Sequence, residues 1–285
     1  MKFIEILKAI FLGIVEGITE WLPVSSTGHM ILVDEFISLK VSDAFMELFL
    51  VVIQLGAICA VPVFFFGKLN PFSRGKTEEE KKATWSLWFK VIVGVIPAAI
   101  IGVLLDDFLD KHLYNYLVVS IALVAYGVFF VLIEKVGKNK ADGANARRYR
   151  VERVEDLTYL DAIKIGAFQV LSLIPGTSRS GSTIIGGMLT GVSRSARAEF
   201  SFFMAIPVMI GASLLKIVKF IAEGYTVTSG ELLLLFVGIA VSFVVSLAAI
   251  KFLMDFVKRH TFVPFGIYRI ILGVFVISFF LLRNI

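Results

Sequence analysis

Six long apolar runs, near residues 44–66, 86–105, 114–134, 198–220, 231–253 and 264–282, constrain this chain more than any other feature. Each approaches or exceeds the roughly 20 residues a helix needs to cross a bilayer's hydrocarbon. In that medium every backbone N–H and C=O must be satisfied inside the protein, which leaves helix as the backbone state for such runs. The chain is 58% hydrophobic and only 18% charged, against about 25% charged in a soluble domain. An all-α integral membrane protein follows. The net charge of +5 does not argue for nucleic acid, because the basic residues concentrate in two loops, as membrane topology requires. Cys59 is the single cysteine, so no intramolecular disulfide can form. The N-terminus carries Glu5, Glu16 and Glu20 and lacks a small-residue cleavage site, so it does not read as a removable signal peptide.

Two further apolar regions, 3–37 and 161–195, are broken mid-way by Pro, Gly, Ser and Thr. Each half is too short to span alone, so each region is expected to be a re-entrant helical hairpin whose break lies near mid-membrane. Irregular backbone at that depth needs protein or a wet cavity around it. The two regions also resemble each other. Gly13-Ile-Val-Glu16 before Pro23-Val-Ser-Ser-Thr-Gly28 echoes Gly166-Ala-Phe-Gln169 before Pro175-Gly-Thr-Ser-Arg-Ser-Gly181. Gly94 and Tyr126-Gly-Val-Phe are echoed by Gly238 and Leu272-Gly-Val-Phe, and across all these echoes the offsets are about 144 to 153 residues. The expected organisation is a first repeat over 1–135, a basic cytoplasmic linker over 136–160 and a second repeat over 161–285. Each repeat is one hairpin plus three spans. Three is odd, so the second copy enters inverted, and the two broken tips meet near the midplane. The loops at 67–84 and 135–158 carry 12 of the 28 Lys and Arg and, if 3–37 returns to its starting side, share one face with Lys258 and Arg259. That face is cytoplasmic by the positive-inside rule, with Asp106, Asp107 and Asp110 on the other.

The breaks hold the chemistry. Glu16 and Glu20 are four apart and share a helix face. Pro23 stops that helix, Ser25 or Ser26 caps the next, and His29 follows Ser26 by one turn, so a hydroxyl and an imidazole can address one spot. In the second break Pro175-Gly176 ends a helix and Thr177 or Ser178 caps another, whose first turn is a ready anion site. Arg179 adds a planar fork suited to phosphate oxygens. Ionisable groups at membrane depth are expensive and usually face a cavity where they act. Small residues also permit close helix packing, which accounts for the serines but not for a charge such as Arg179. Carboxylates, hydroxyls, an imidazole and a guanidinium are the parts needed to handle a phosphate group, and the expectation is a membrane enzyme that cleaves a lipid diphosphate. Ser26, His29, Glu20 and Arg179 are the candidate catalytic residues. Ser25, Thr27, Ser178, Ser180 and Thr183 are the candidate substrate-binding residues. No Cys or His pair has zinc-ligand spacing, so any metal would sit on oxygen, chiefly Glu16, Glu20 and substrate phosphates, which favours Mg²⁺ or Ca²⁺.

These two stretches, Glu16…Glu20…Pro23-Val-Ser-Ser-Thr-Gly-His29 and Pro175-Gly-Thr-Ser-Arg-Ser-Gly-Ser-Thr183, resemble the paired signature motifs of the undecaprenyl-diphosphate phosphatases, the bacitracin-resistance family of bacterial inner membranes. The resemblance implies hydrolysis of undecaprenyl diphosphate to the monophosphate, recycling the carrier lipid for peptidoglycan. It also implies a divalent-cation requirement and a multi-pass protein whose site opens towards the periplasm. Ser26 is then expected to attack the terminal phosphorus with His29 or Glu20 managing the proton, or else to orient an attacking water. The rival class is a transporter or flippase of a lipid phosphate, which would use the same arginine and helix ends but has no obvious use for a nucleophile. The sequence leaves the oligomeric state open, a homodimer among the options.

Overall fold

The computed structural model describes residues 3–113, 115–141 and 149–283, with the side chains of 106, 107, 110 and 136–141 outside the description. Eleven α-helices follow one another: α1 (Phe3–Thr19), α2 (Ser26–Asp34), α3 (Asp43–Phe64), α4 (Phe66–Leu69), α5 (Glu78–Leu113), α6 (Tyr116–Ala141), α7 (Tyr159–Gln169), α8 (Arg179–Leu189), α9 (Arg194–Ala222), α10 (Ser229–Arg259) and α11 (Val263–Arg283). Short 3-10 turns sit at Val154–Asp156 and Val170–Leu173. Among the described residues there is no strand, and six helices are long and apolar enough to cross a membrane: α3, α5, α6, α9, α10 and α11. Their outward side chains are what lipid accepts, with Val103, Leu104, Phe236 and Leu282 between 68% and 75% exposed. The core lies at the middle, around Trp21, Phe130, Phe200, Phe202, Phe203 and Phe262, all buried.

The element order repeats. A broken helix pair (α1–α2, then α7–α8) precedes three long helices in each half, with the short α4 as the one extra element. Packing partners repeat with it: α1 lies on α10 as α7 lies on α5. Glycines permit both contacts. A Cβ on Gly13 would stand 2.9 Å from the Gly238 carbonyl oxygen, and one on Gly166 would stand 1.9 Å from that of Gly94. These are the four glycines whose echo the sequence displays.

Each broken pair returns to the end at which it began. Lys8 Nζ donates to the Ser38 carbonyl at 2.6 Å, and the Lys40 N–H donates to Glu5 Oε2 at 2.9 Å. At the other end of the molecule the Arg150 N–H donates to the Gly191 carbonyl at 2.9 Å, Val151 bridges to Val192, and Arg150 pairs with Asp161 beside the start of α7. The basic loops gather at that second end: Lys68 meets Glu155 at 3.5 Å and Glu199 at 2.6 Å, while Arg194 and Arg197 converge on Glu134.

Two boundaries differ from expectation. The loop at 67–84 gives way to helix at Glu78, because Thr77 and Glu80 form a reciprocal cap (3.2 and 2.7 Å) that starts α5 early. The helix then runs on to Leu113, so Asp106, Asp107 and Asp110 belong to its tail and not to a loop. Within the basic linker, residues 142–148, Arg147 and Arg148 included, lie outside the described residues.

The α5–α7 contact yields a controlled test. Gly166→Ala forces a methyl against the Gly94 backbone and should destabilise by about 1–3 kcal/mol. Gly211→Ala in α9, where nothing lies within 4 Å, should be neutral or slightly stabilising. Thermal unfolding in detergent, with both variants beside the wild type, reads the difference.

Candidate active site

The two breaks have the same local design. Residues 20–25 end α1 without helix, and the chain re-enters helix at Ser26 behind Ser25, which has φ 75° and accepts the Gly28 N–H. In the second break Ser178, with φ 72°, accepts the Gly181 N–H at the start of α8. Ser25 and Ser178 are the non-glycine residues with positive φ among the described residues. Such backbone costs roughly 1–3 kcal/mol and persists only where surrounding structure enforces it. Both serines start helices whose first-turn N–H groups and positive dipole ends suit an anion.

One carboxylate joins the breaks. Ser26 Oγ donates to Glu20 Oε2 at 2.8 Å, and Arg179 Nη2 donates to Glu20 Oε1 at 3.1 Å. Arg179 Nη1 donates to the Ser201 carbonyl of α9 at 2.7 Å, its Cζ stands 5.8 Å from the Trp21 ring centroid, and its Nε has no hydrogen-bond partner among the described residues. Ser180 Oγ reaches back to the Glu20 carbonyl at 3.3 Å and the Leu22 carbonyl at 3.4 Å. A nucleophile-type hydroxyl, a carboxylate on its proton and a planar cation thus meet at one point.

The other sequence-derived candidates sit around this point in different ways. Glu16 is one turn before Glu20, wholly buried, and its Oε1 has no partner among the described residues. Gln169, its counterpart on α7, is likewise buried with neither amide atom partnered. No group of three or more His, Cys, Asp or Glu that could hold a metal occurs among the described residues, so a cation here has two carboxylates at most. His29 is not joined to Ser26. Its Nδ1 meets the Ser25 carbonyl at 2.7 Å and its Nε2 meets the Tyr268 hydroxyl at 2.7 Å. A carbonyl only accepts, so in the neutral ring Nδ1 carries the proton and Nε2 accepts from Tyr268. Thr27 is half-buried at the start of α2. Ser178 also contacts Ser180 Oγ at 3.1 Å. Thr183 is wholly buried, and its hydroxyl is engaged with Ser201 Oγ at 2.7 Å, joining α8 to α9.

Sequence reading missed Tyr268, Ser201 and Arg269. Arg269 left a signal: it is the lone charge inside the apolar run 264–282, and an intramembrane charge is a functional candidate in itself. Tyr268 and the Ser201 carbonyl left none, since each matters only through a partner brought from another helix.

The chain is similar to known proteins over nearly its whole length. The sequence profile of the family described as bacitracin resistance protein BacA matches residues 9–275. The chain is similar to an undecaprenyl-diphosphatase of Enterococcus faecalis, 57% identical over 281 residues that cover 99% of each chain. It is also similar to proteins of the same name from Limosilactobacillus fermentum (57% identical, covering 98% of this chain and 99% of that one) and Acetivibrio thermocellus (55% identical, 98% of each).

The Glu20–Arg179 pair is about nine-tenths buried on both sides, so removing one partner strands the other's charge, at a cost of about 3–5 kcal/mol. Glu20→Ala should therefore lower stability markedly, and the double variant Glu20→Ala/Arg179→Ala should lose less than the sum of the two single losses. Unfolding midpoints of the three variants in detergent check this.

Proposed function

The chain belongs to the bacitracin resistance protein BacA family and hydrolyses undecaprenyl diphosphate to undecaprenyl phosphate and inorganic phosphate, and we propose that Ser26, Glu20 and Arg179 carry out the reaction. The product lipid re-enters cell-wall polymer synthesis, and the activity underlies bacitracin resistance. The observation that carries the mechanism is the double engagement of Glu20, with Ser26 Oγ on one oxygen and Arg179 on the other.

Arg179 and the first turn of α8 hold the terminal phosphate, with the α2 N-terminus facing the same anion. Ser26 Oγ attacks the terminal phosphorus as Glu20 takes its proton. The Oγ–P bond forms, the bridging P–O bond breaks, and undecaprenyl phosphate leaves with the bridging oxygen. Water then attacks the phosphoserine. Glu20 returns its proton to Ser26 Oγ as the P–Oγ bond breaks, phosphate departs, and the water's spare proton goes to solvent. Phosphoryl transfer of this kind relies on positioning and charge more than on covalent chemistry. His29, donating to the Ser25 carbonyl, holds the strained cap from which Ser26 projects. Ser25 and Ser178 set the two helix starts, Ser180 ties the second break to the first, and Thr183 anchors α8 on α9.

A divalent cation, Mg²⁺ or Ca²⁺, fits this donor set. Glu16 offers a buried oxygen with no partner, Glu20 a second carboxylate, and phosphate oxygens would complete a shell that two carboxylates cannot. When bound, such an ion neutralises diphosphate charge. A lipid-phosphate carrier would need Arg179 and the helix ends, but not a serine polarised by a carboxylate.

Both broken helix pairs are, in this reading, re-entrant, and the two halves of the chain form inverted repeats meeting at the midplane. Three long helices separate the pairs, and the two pairs return to opposite ends of the molecule, which supports that topology. The end that gathers Lys68, Arg150, Arg153, Arg194 and Arg197 is cytoplasmic by its charge, and the site opens to the periplasm.

Purified protein should release phosphate from undecaprenyl diphosphate, EDTA should stop release, and Mg²⁺ or Ca²⁺ should restore it. Ser26→Ala should lose at least about a thousandfold in kcat while remaining folded. Undiminished release in EDTA would remove the cation from the scheme, and an active Ser26→Ala would remove the nucleophile.

A further inference from the structure

Arg269 of α11 is fully buried, at 0% exposure, and is not used by the mechanism above. Its Nη2 donates to the Gly176 carbonyl at 2.8 Å and its Nη1 to the Pro23 carbonyl at 3.3 Å. Those two carbonyls belong to the two breaks and hold the same place in each, two residues before the strained serines Ser178 and Ser25. The guanidinium carbon stands 5.6 Å from the Tyr126 ring centroid, and Nη1 lies against Gly181 in the first turn of α8, 3.3 Å from where a Cβ would be. Among the described residues no carboxylate pairs with Arg269, and its Nε has no hydrogen-bond partner. A buried cation without an acid is costly unless something anionic arrives. Arginine suits two carbonyls at a set spacing because its donors form one rigid plane, whereas a lysine ammonium is a single flexible point.

We propose that Arg269 is a positioning residue for the phosphatase reaction: it clips the two breaks together so that Ser26 and Arg179 address the same diphosphate, and it leaves a positive charge that this anion compensates. The inference rests on the roles assigned above to Ser26 and Arg179. It separates stability from turnover. Replacing this buried charge by an apolar side chain of similar length removes its desolvation cost but leaves two carbonyls unpaired, so the fold should lose only modestly in stability, whereas a small misplacement of reacting groups can cost about a hundredfold in rate.

The test measures unfolding midpoint, kcat and KM for undecaprenyl diphosphate on wild type, Arg269→Met, Arg269→Lys and Ser26→Ala in detergent. Arg269→Met, which leaves the Pro23 and Gly176 carbonyls without their donor, should stay folded with a modestly lowered midpoint while kcat falls about a hundredfold. Arg269→Lys, with the charge but not the fork, should recover no more than about a tenth of wild-type kcat. Wild-type kcat in Arg269→Met overturns the proposal, as does full rescue by Lys, which would make charge alone sufficient. Failure of both variants to fold overturns it too, by making Arg269 a folding element. Activity in Ser26→Ala would instead strike the nucleophile, and the clip with it, so the two failures are told apart.

Discussion

A carboxylate and a guanidinium inside a lipid-immersed protein stay charged only if they meet something of opposite sign. Glu20 and Arg179 are 159 residues apart and meet at 3.1 Å. That contact closes the two broken helix pairs upon each other, and the rest of the site is arranged by it. With one oxygen committed to Arg179, the other is left to receive Ser26. The guanidinium, drawn toward Glu20 and held on the Ser201 carbonyl, stands at the head of α8, where the backbone N–H groups also favour an anion.

The surrounding fold makes this meeting possible. Helices α1 and α7 are too short to span, and each presses its backbone onto a full-length helix through a glycine contact, Gly13 on α10 and Gly166 on α5. Each chain then breaks, turns through a serine with positive φ and starts again. Strain of this sort is kept where it serves a function, because relaxation of Ser25 or Ser178 would swing a helix N-terminus away from the centre. Arg269 and Ser180 bind the carbonyls of the breaks, so this buried irregular backbone is satisfied by protein.

Much of this was legible in the sequence, and for identifiable reasons. Apolar runs of spanning length left no choice but helix, and all six appear as helices, α3, α9 and α11 within a few residues of the expected ends and α5, α6 and α10 running six to eight residues beyond them. The paired Pro/Gly/Ser breaks announced where helix would stop. The four-residue spacing of Glu16 and Glu20 put them one turn apart. The start of α5 at Glu78 was missed because hydropathy ignores a polar helical turn, although the Thr77–Glu80 cap was there to be read. His29 was expected beside Ser26 on spacing alone, yet its ring turns to the Ser25 carbonyl and Tyr268, the latter 239 residues away. Partners such as Tyr268, Ser201 and the carbonyls under Arg269 come from other helices, and no local pattern encodes them.

The account turns on whether Ser26 becomes covalently phosphorylated during turnover. A rapid-quench experiment with substrate labelled in the terminal phosphate, followed by peptide mapping of the quenched protein, reads that directly. The account predicts one phosphoryl group per chain on the peptide containing Ser26, appearing with the first equivalent of undecaprenyl phosphate and before free phosphate. Free phosphate released in step with undecaprenyl phosphate, with no label on the protein at any time, would contradict it and leave an activated water as the attacking group.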